Sequence, residues 1–481
     1  MSYVSPDWIR SQFCAALSAM YRAEVPLYGD LVQLVDEVNA EAIARADGFA
    51  GEELKREMEE SRLKVERHGA IRVGNPSELH TLRRLFALMA MYPVNYYDLS
   101  TSGLPVHATA FRPVTEESLA VNPFRVFTSL LRMELITDRR VREIARERLD
   151  GREIFHPRTL KLIALAETQG GLAEPDALAL VHHALQTFRW QSDARVSKET
   201  YDELSRAHSL VADIVAFRGP HINHLTPRTL DIDAVQARMP EKKIESKHVI
   251  EGPPERQCPI LLRQTSFQAV QEPIYFINPL SNDKVLGFHR ARFGEIEQRG
   301  VALTPAGVEL YHHLMASAER ELATMTGPAV DNATRQRVLQ RHFAEFPDTW
   351  ESLRARGLAY FRYVRSSQAT RRPSLIDGTP QPIDAFIEQG LIRVEPITYE
   401  DFLPASAAGI FHSNLGDLKG LQVGKVGPDR DGFERALGAK VVDGDALYHA
   451  QQIGSMTAML ESMRTSVSKE DLRGGVQNSV F

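Results

Sequence analysis

Strand-forming sequence occurs in this chain as two blocks separated by a long helical stretch, and that arrangement limits the folds open to it. From Pro6 to about Lys64 apolar residues recur every three or four positions, through Phe13, Leu17, Met20 and Tyr21 and again through Leu31, Val32, Leu34 and Val35. This is helical spacing. Glu52–Lys64, dense in Glu, Lys and Arg, reads as a solvated helix with i,i+4 charge pairs. The register then changes. Val65-Glu66-Arg67-His68-Gly69-Ala70-Ile71-Arg72-Val73 carries too much β-branching, and a central glycine, for a good helix, and it stops at the breaker cluster Gly74-Asn75-Pro76. Residues 65–73 are therefore predicted as a strand. Ser77–Met91 follows as a helix capped by Asn75 or Ser77.

A second strand is expected within Gly103–Pro113, and a helix over Asn122–Glu134. Residues 136–210 are helical in pattern, through Leu160–Leu165, Ala177–Leu185 and Tyr201–Val211. Strand-like sequence resumes at Pro220-His221-Ile222-Asn223-His224-Leu225-Thr226-Pro227-Arg228, where two prolines exclude a regular helix. Further strands are expected at Ile260–Phe267, Ile274–Ile277, Gly294–Arg299, Ile392–Val394 and Lys440–Val442. Thr304 and Pro305 open a helix to Leu322 as N-cap and first residue. The implied organisation is a helical segment at 1–64, a barrel in two parts at 65–135 and 216–345, a helical insert at 136–215, and an α/β segment at 346–481 that completes the pocket.

Composition excludes several function classes. A balance of 57 basic against 63 acidic residues, net −6, offers no cationic surface for nucleic acid. No apolar run approaches the ~20 residues of a membrane span. Cys14 and Cys258 are far apart in sequence, which speaks against a disulfide framework and for a reducing compartment. The start of the chain lacks a basic stretch followed by an apolar run, so the cytoplasm is expected. The signatures of zinc proteases, phosphate loops and dinucleotide folds do not occur.

Most of the sixteen histidines, among them His182, His183, His208, His312, His313, His342 and His449, lie in helix-like or exposed stretches. His68, His224 and Glu295 differ, because each lies on or beside a short constrained strand. Two imidazoles and one carboxylate from separate strands leave three adjacent positions open on iron(II), two for a chelating 2-oxo acid and one for dioxygen. In Phe293-Gly294-Glu295-Ile296-Glu297-Gln298-Arg299-Gly300 the strand period places Glu295, Glu297 and Arg299 on one face, so periodicity admits either carboxylate. Arg72 shares the strand side of His68, where a guanidinium can grip a carboxylate with two hydrogen bonds or form a structural ion pair.

Arg67-His68-Gly69-Ala70-Ile71-Arg72, Leu261-Leu262-Arg263-Gln264-Thr265-Ser266-Phe267 and the stretch from Phe293 through Gly300-Val301-Ala302-Leu303-Thr304 resemble the 2-oxoadipate dioxygenase/decarboxylase family. So does Tyr399-Glu400-Asp401-Phe402-Leu403-Pro404-Ala405-Ser406-Ala407-Ala408-Gly409-Ile410-Phe411, and these blocks run from about residue 65 to 415. The family is related to the vicinal oxygen chelate enzymes. The resemblance thus implies an α+β fold with a vicinal-oxygen-chelate-like central β-barrel elaborated by helical segments. It makes His68 and His224 the first two iron ligands. In the more distant 4-hydroxyphenylpyruvate dioxygenases two residues separate the liganding Glu from a Gln-Arg pair, a spacing that Glu295 matches before Gln298-Arg299 and Glu297 does not. The resemblance also implies that Arg72, Ala405 and Ser406 contact the substrate, with Ala405 standing where Val is common in the family. The implied reaction takes 2-oxoadipate and O2 to 2-hydroxyglutarate and CO2 with Fe(2+), without a further co-substrate, in lysine catabolism. A metal-dependent lyase or hydrolase, or a non-catalytic binding protein, are the rival expectations.

Overall fold

Alternation along the strands divides the interior into two apolar layers. In the computed structural model, which describes residues 2–45, 65–278, 281, 283–325, 331–366, 383–403 and 427–474, the first strand is β1 (Glu66–Val73). It sends Ile71 and Val73 into one buried cluster and Ala70 into another, because successive strand residues face opposite sides. Its neighbours are β2 (Tyr92–Asp98), β3 (Val106–Arg112), β4 (Arg125–Leu131), β5 (His224–Pro227), β6 (Leu262–Ser266) and, beyond the hairpin of β7 (Gln271–Ile277) and β8 (Lys284–Arg290), β9 (Phe293–Arg299). The order β2-β3-β4-β1-β5-β9-β6 makes a curled seven-stranded half-barrel. The expected α+β class, with a barrel-forming sheet at the centre, is what the chain adopts.

Described by itself, the unit formed by Met1–Gly252, Leu262–Gln298 and Asp401–Val442 holds this sheet. On one face Val126, Leu225 and Ile296 pack against Phe13, Leu17, Leu31 and Leu34 of the helices Pro6–Glu24 and Pro26–Arg45, and against Leu162 and Leu180 of Pro157–Gln169 and Glu174–Ala184. On the other face Ala108, Ala110 and Phe127 pack with Val141, Leu204 and Ile214 of Arg139–Leu149, Lys198–Ala207 and Ser209–Val215. The helices between β4 and β5 therefore cover both faces of the sheet.

Local chemistry sets the helix starts. Asn75 accepts the amide of Glu78 at 3.0 Å ahead of Pro76–Ala87, and Thr304 caps Pro305–Thr324 through the amide of Gly307 at 3.3 Å. The helix expected over Asn122–Glu134 is instead strand β4. Pro123 biases Asn122 to extended geometry, and β4 is buried on both faces between β1 and β3, so apolar residues stand on both of them, Val126 and Leu130 on one and Phe127 and Leu131 on the other, without alternation. Lys440–Val442 contributes one bridge, Val94 to Val442, rather than a strand. β2 and β8 had no clear signal in the sequence. The charged segment Glu52–Lys64 lies outside the described residues.

The second unit, Pro253–Leu261, Arg299–Glu400 and Asp443–Phe481, pairs β10 (Phe361–Arg365) with β11 (Ile392–Pro396). The helix Gly444–Gly474 covers this ribbon, with Gln452 and Ser455 accepting the amides of Phe361 and Tyr363. Among the described residues no helix is long and apolar enough to cross a membrane.

Candidate metal centre

Strand register is what joins residues so distant in sequence. β1 and β5 run antiparallel with His68 opposite Thr226 and Ala70 opposite His224. β5 and β9 run parallel with Leu225 beside Gly294, which sets Glu295 next to Thr226. His68, Thr226 and Glu295 thus form a row across three strands, with His224 one step along. The Thr226 hydroxyl spans the row, 3.2 Å from His68 Nε2 and 3.4 Å from Glu295 Oε1. Gly69 and Gly294 flank these residues on the opposite face. A Cβ on Gly69 would meet Ile222 and Leu225 at 2.8 and 2.9 Å, and one on Gly294 would meet Phe267 at 2.4 Å, so the close approach of neighbouring elements needs glycine at both positions.

His68, His224 and Glu295 are fully buried, and one ligand atom from each lies within 4.8 Å of the others. His68 Nε2 is 3.0 Å from Glu295 Oε1, and His224 Nε2 is 3.9 Å from Glu295 Oε2. Neither ring nitrogen of His224, nor Glu295 Oε2, has a hydrogen-bond partner among the described residues. Buried polar atoms are nearly always paired in folded proteins, and a metal ion is one remedy for such a group. Burial, reinforced by His68, Arg72 and Lys247, depresses the His224 pKa well below its ordinary value, so the ring is neutral and offers a lone pair. Burial acts on His68 in the same sense, but Glu297 and Glu295 outweigh it and raise that ring's pKa. Two imidazoles and a carboxylate, desolvated and partly unpartnered, are a donor set that fits a metal ion.

Surrounding groups fix the orientation of these three. Gln264 of β6 donates to Glu295 Oε1 at 2.5 Å. Glu297, on the same face of β9, lies 2.9 Å from His68 Nδ1 and 3.6 Å from Arg67 Nε. The two carboxylates that strand period left equivalent thus meet opposite edges of one ring. Phe402 packs edge-on to His68 with centroids 4.8 Å apart, and Phe293 stacks on His224 at 4.8 Å. Lys247 lies over Phe293 at 5.6 Å, and burial pushes its pKa down to about 8. Arg72 shares the face of His68, as expected, and its Nη1 is 2.6 Å from Asp213 Oδ2. Ala405 and Ser406 lie outside the described residues. Sequence reasoning did not single out Asp213, Thr226, Gln264 or Phe402 individually; Gln264 and Phe402 stand within quoted motif blocks, and that was their only signal.

The fold and this cluster define a protein whose curled sheet carries a buried two-histidine, one-carboxylate set able to hold a metal ion. Residues 13–414 match the 2-oxoadipate dioxygenase/decarboxylase family, and the chain belongs to it. A 2-oxoadipate dioxygenase/decarboxylase of Pseudomonas putida is 52% identical over 462 residues, 96% of this chain and 98% of that one. One from Escherichia coli is 52% identical over 448 residues, 92% and 96% of the two chains. The crystal structure of the hydroxyglutarate synthase from Pseudomonas putida in complex with 2-oxoadipate is similar with a TM-score of 0.85 and 49% identity, over 96% of this chain and 100% of that one.

Proposed function

We propose that this chain is an iron(II)-dependent dioxygenase/decarboxylase that converts 2-oxoadipate and O2 to 2-hydroxyglutarate and CO2, a step of lysine catabolism. His68, His224 and Glu295 hold the metal, and Arg72, Ala405 and Ser406 contact the substrate. The observation that carries this reading is the fully buried His224, whose ring nitrogens have no hydrogen-bond partner among the described residues, with Nε2 3.9 Å from the Glu295 oxygen that likewise has none there, in a member of that family. A facial set of two histidines and a carboxylate is the donor arrangement of mononuclear iron(II) oxygenases.

Iron(II) at this position supplies chelation of the 2-oxo acid and the electrons that let dioxygen react with it. The protein contributes placement. Glu297 holds the His68 ring by Nδ1, and Gln264 and Thr226 hold Glu295. Arg72 orients a substrate carboxylate, and Phe402 and Phe127 keep water from the His68 side of the site. Atoms balance without a further co-substrate, since a six-carbon oxo diacid and O2 together contain the atoms of the five-carbon hydroxy diacid and CO2. The buried, unbridged Cys14 and Cys258 suit a cytoplasmic setting.

The test is oxygen uptake and CO2 release by the iron(II)-loaded protein against 2-oxo diacids differing by one carbon. Equimolar uptake and release, greatest with 2-oxoadipate, is expected. Turnover without oxygen would indicate a lyase or hydrolase, and preference for another 2-oxo acid would overturn the substrate assignment.

A further inference from the structure

Close to the metal centre stands a second buried group of the same residue types, Asp213, His221 and His289, with ligand atoms also within 4.8 Å of one another. It differs from the first in how its atoms are paired. Asp213, on the helix Ser209–Val215, accepts Arg72 Nη1 at 2.6 Å through Oδ2 and His289 Nε2 at 2.9 Å through Oδ1. Burial opposes the Asp213 charge, but His221, Arg72 and His289 together outweigh it, so the carboxylate stays ionised and can only accept. His289 therefore carries a proton on Nε2, and its Nδ1 makes a 2.6 Å hydrogen bond with the Tyr201 hydroxyl. The Asn223 amide donates to His221 Nε2 at 3.2 Å. A cation bound here would face a guanidinium on the same carboxylate. This cluster is a hydrogen-bonded relay rather than a second metal site.

We infer that Asp213 is a positioning residue for Arg72, and that Tyr201, His289 and Asp213 act in series to hold the guanidinium in one orientation toward a substrate carboxylate. The line is continuous, with His289 and Arg72 donating to Asp213 and the Tyr201 hydroxyl 2.6 Å from the far nitrogen of His289. The line is walled in. Trp190 stacks parallel to the His289 ring at 6.0 Å and Phe217 packs against it at 5.0 Å, so the imidazole has little freedom to turn. An arginine side chain loses much rotamer freedom on binding a ligand, and fixing it beforehand moves that loss into folding. Asn223, whose amide also lies 3.5 Å from Asp213 Oδ2, precedes His224 and ties the relay to the metal-centre strand.

This inference rests on the proposed role of Arg72, and its test separates the two. Binding of 2-oxoadipate to the iron(II)-loaded full-length protein is measured calorimetrically without oxygen for wild type, Asp213→Asn, Tyr201→Phe, Arg72→Ala and the Asp213→Asn/Arg72→Ala double variant. Asp213→Asn is expected to weaken binding tenfold or more and Tyr201→Phe severalfold, with the double variant no weaker than Arg72→Ala alone. In turnover, KM should rise with kcat changed less than threefold. Should Asp213→Asn fail to fold or to retain iron, Tyr201→Phe, a one-atom change remote from the metal, carries the test. Wild-type affinity in the relay variants alongside weak binding by Arg72→Ala would sink the relay and leave the function standing. Additive losses in the double variant would likewise refute action through Arg72. Undiminished binding by Arg72→Ala would overturn the proposed role of Arg72 itself, and the inference with it.

Discussion

His68 is held between two carboxylates, with Nε2 3.0 Å from Glu295 Oε1 and Nδ1 2.9 Å from Glu297 Oε2. A ring gripped by Nδ1 has only Nε2 to offer the space it shares with His224 and Glu295. Outer partners of this kind set both the orientation and the basicity of a metal-binding histidine.

Glu295→Gln and Glu297→Gln should therefore separate. The first is expected to abolish stoichiometric metal binding, whereas the second should retain one metal per chain with affinity lower by roughly ten- to a hundredfold. Metal analysis after dialysis against graded chelator measures this. Equal losses in the two variants would contradict the assignment.

Gly69→Ala places a methyl group 2.8 Å from Ile222 Cδ1, 2.9 Å from Leu225 Cδ2 and 3.0 Å from the backbone oxygen of His224. Overpacking of this kind costs about 1–3 kcal/mol. The urea midpoint should fall at constant slope, and metal affinity should fall with it, because the displaced carbonyl belongs to His224. An unchanged midpoint would show that the neighbouring elements can separate without cost.

Arg112 and Asp401 form a buried bidentate pair, with Nε to Oδ1 at 2.8 Å and Nη2 to Oδ2 at 3.0 Å. Phe402, the next residue, packs on His68. Removing one charge from such a pair costs about 3–5 kcal/mol, so Asp401→Asn should lower both thermal stability and activity. Arg112→Lys should do so too, since an ammonium cannot reproduce the planar fork. Wild-type melting of both variants would dismiss the pair as an anchor.

Stability should decline on acidification. Burial pushes the pKa of His107 and His208 down to about 4, so both rings are neutral when folded at pH 7. A histidine with a depressed folded pKa contributes its stability above the unfolded value, about 6.5, and loses it as pH falls toward 4, because the unfolded chain takes up the proton first. Each ring accounts for on the order of 1–3 kcal/mol. His208 also caps Ser209–Val215, accepting the Leu210 amide on Nδ1 at 3.0 Å, a role that helical spacing alone did not indicate. His208→Asn keeps a capping side chain without the titration. Urea unfolding between pH ~7.5 and ~4.5 should show a shallower decline for this variant, and an identical decline would exclude His208 as a contributor.

Local features of the chain were legible wherever the determining interactions are themselves local. The breaker cluster Gly74-Asn75-Pro76 ends β1 and starts a helix, and Thr304-Pro305 starts another, because caps and prolines act within one turn. The alternation of β1 and β9 sets His68 with Arg72 and Glu295 with Glu297 on shared faces without any tertiary contact. β4 does not show as a strand in the sequence, because burial on both faces erases the alternation that would reveal one.

Periodicity and breakers alone mark the helices, most strands and the strand-borne candidates His68, His224, Glu295 and Glu297, and resemblance adds the family, its α+β class and the choice of Glu295. What the sequence could not decide were relations set by packing. Strand period makes Glu295 and Glu297 equivalent, and only the register of β1, β5 and β9 brings one toward His224 and the other against His68 Nδ1. Asp213 is one acid in a short apolar helix, and its pairing with Arg72 across 141 positions exists only because that helix packs on the face of the sheet bearing Arg72. Periodicity and caps are short-range and written into neighbouring residues. Closure between distant side chains depends on how whole elements settle against one another, and that is decided by the tertiary structure.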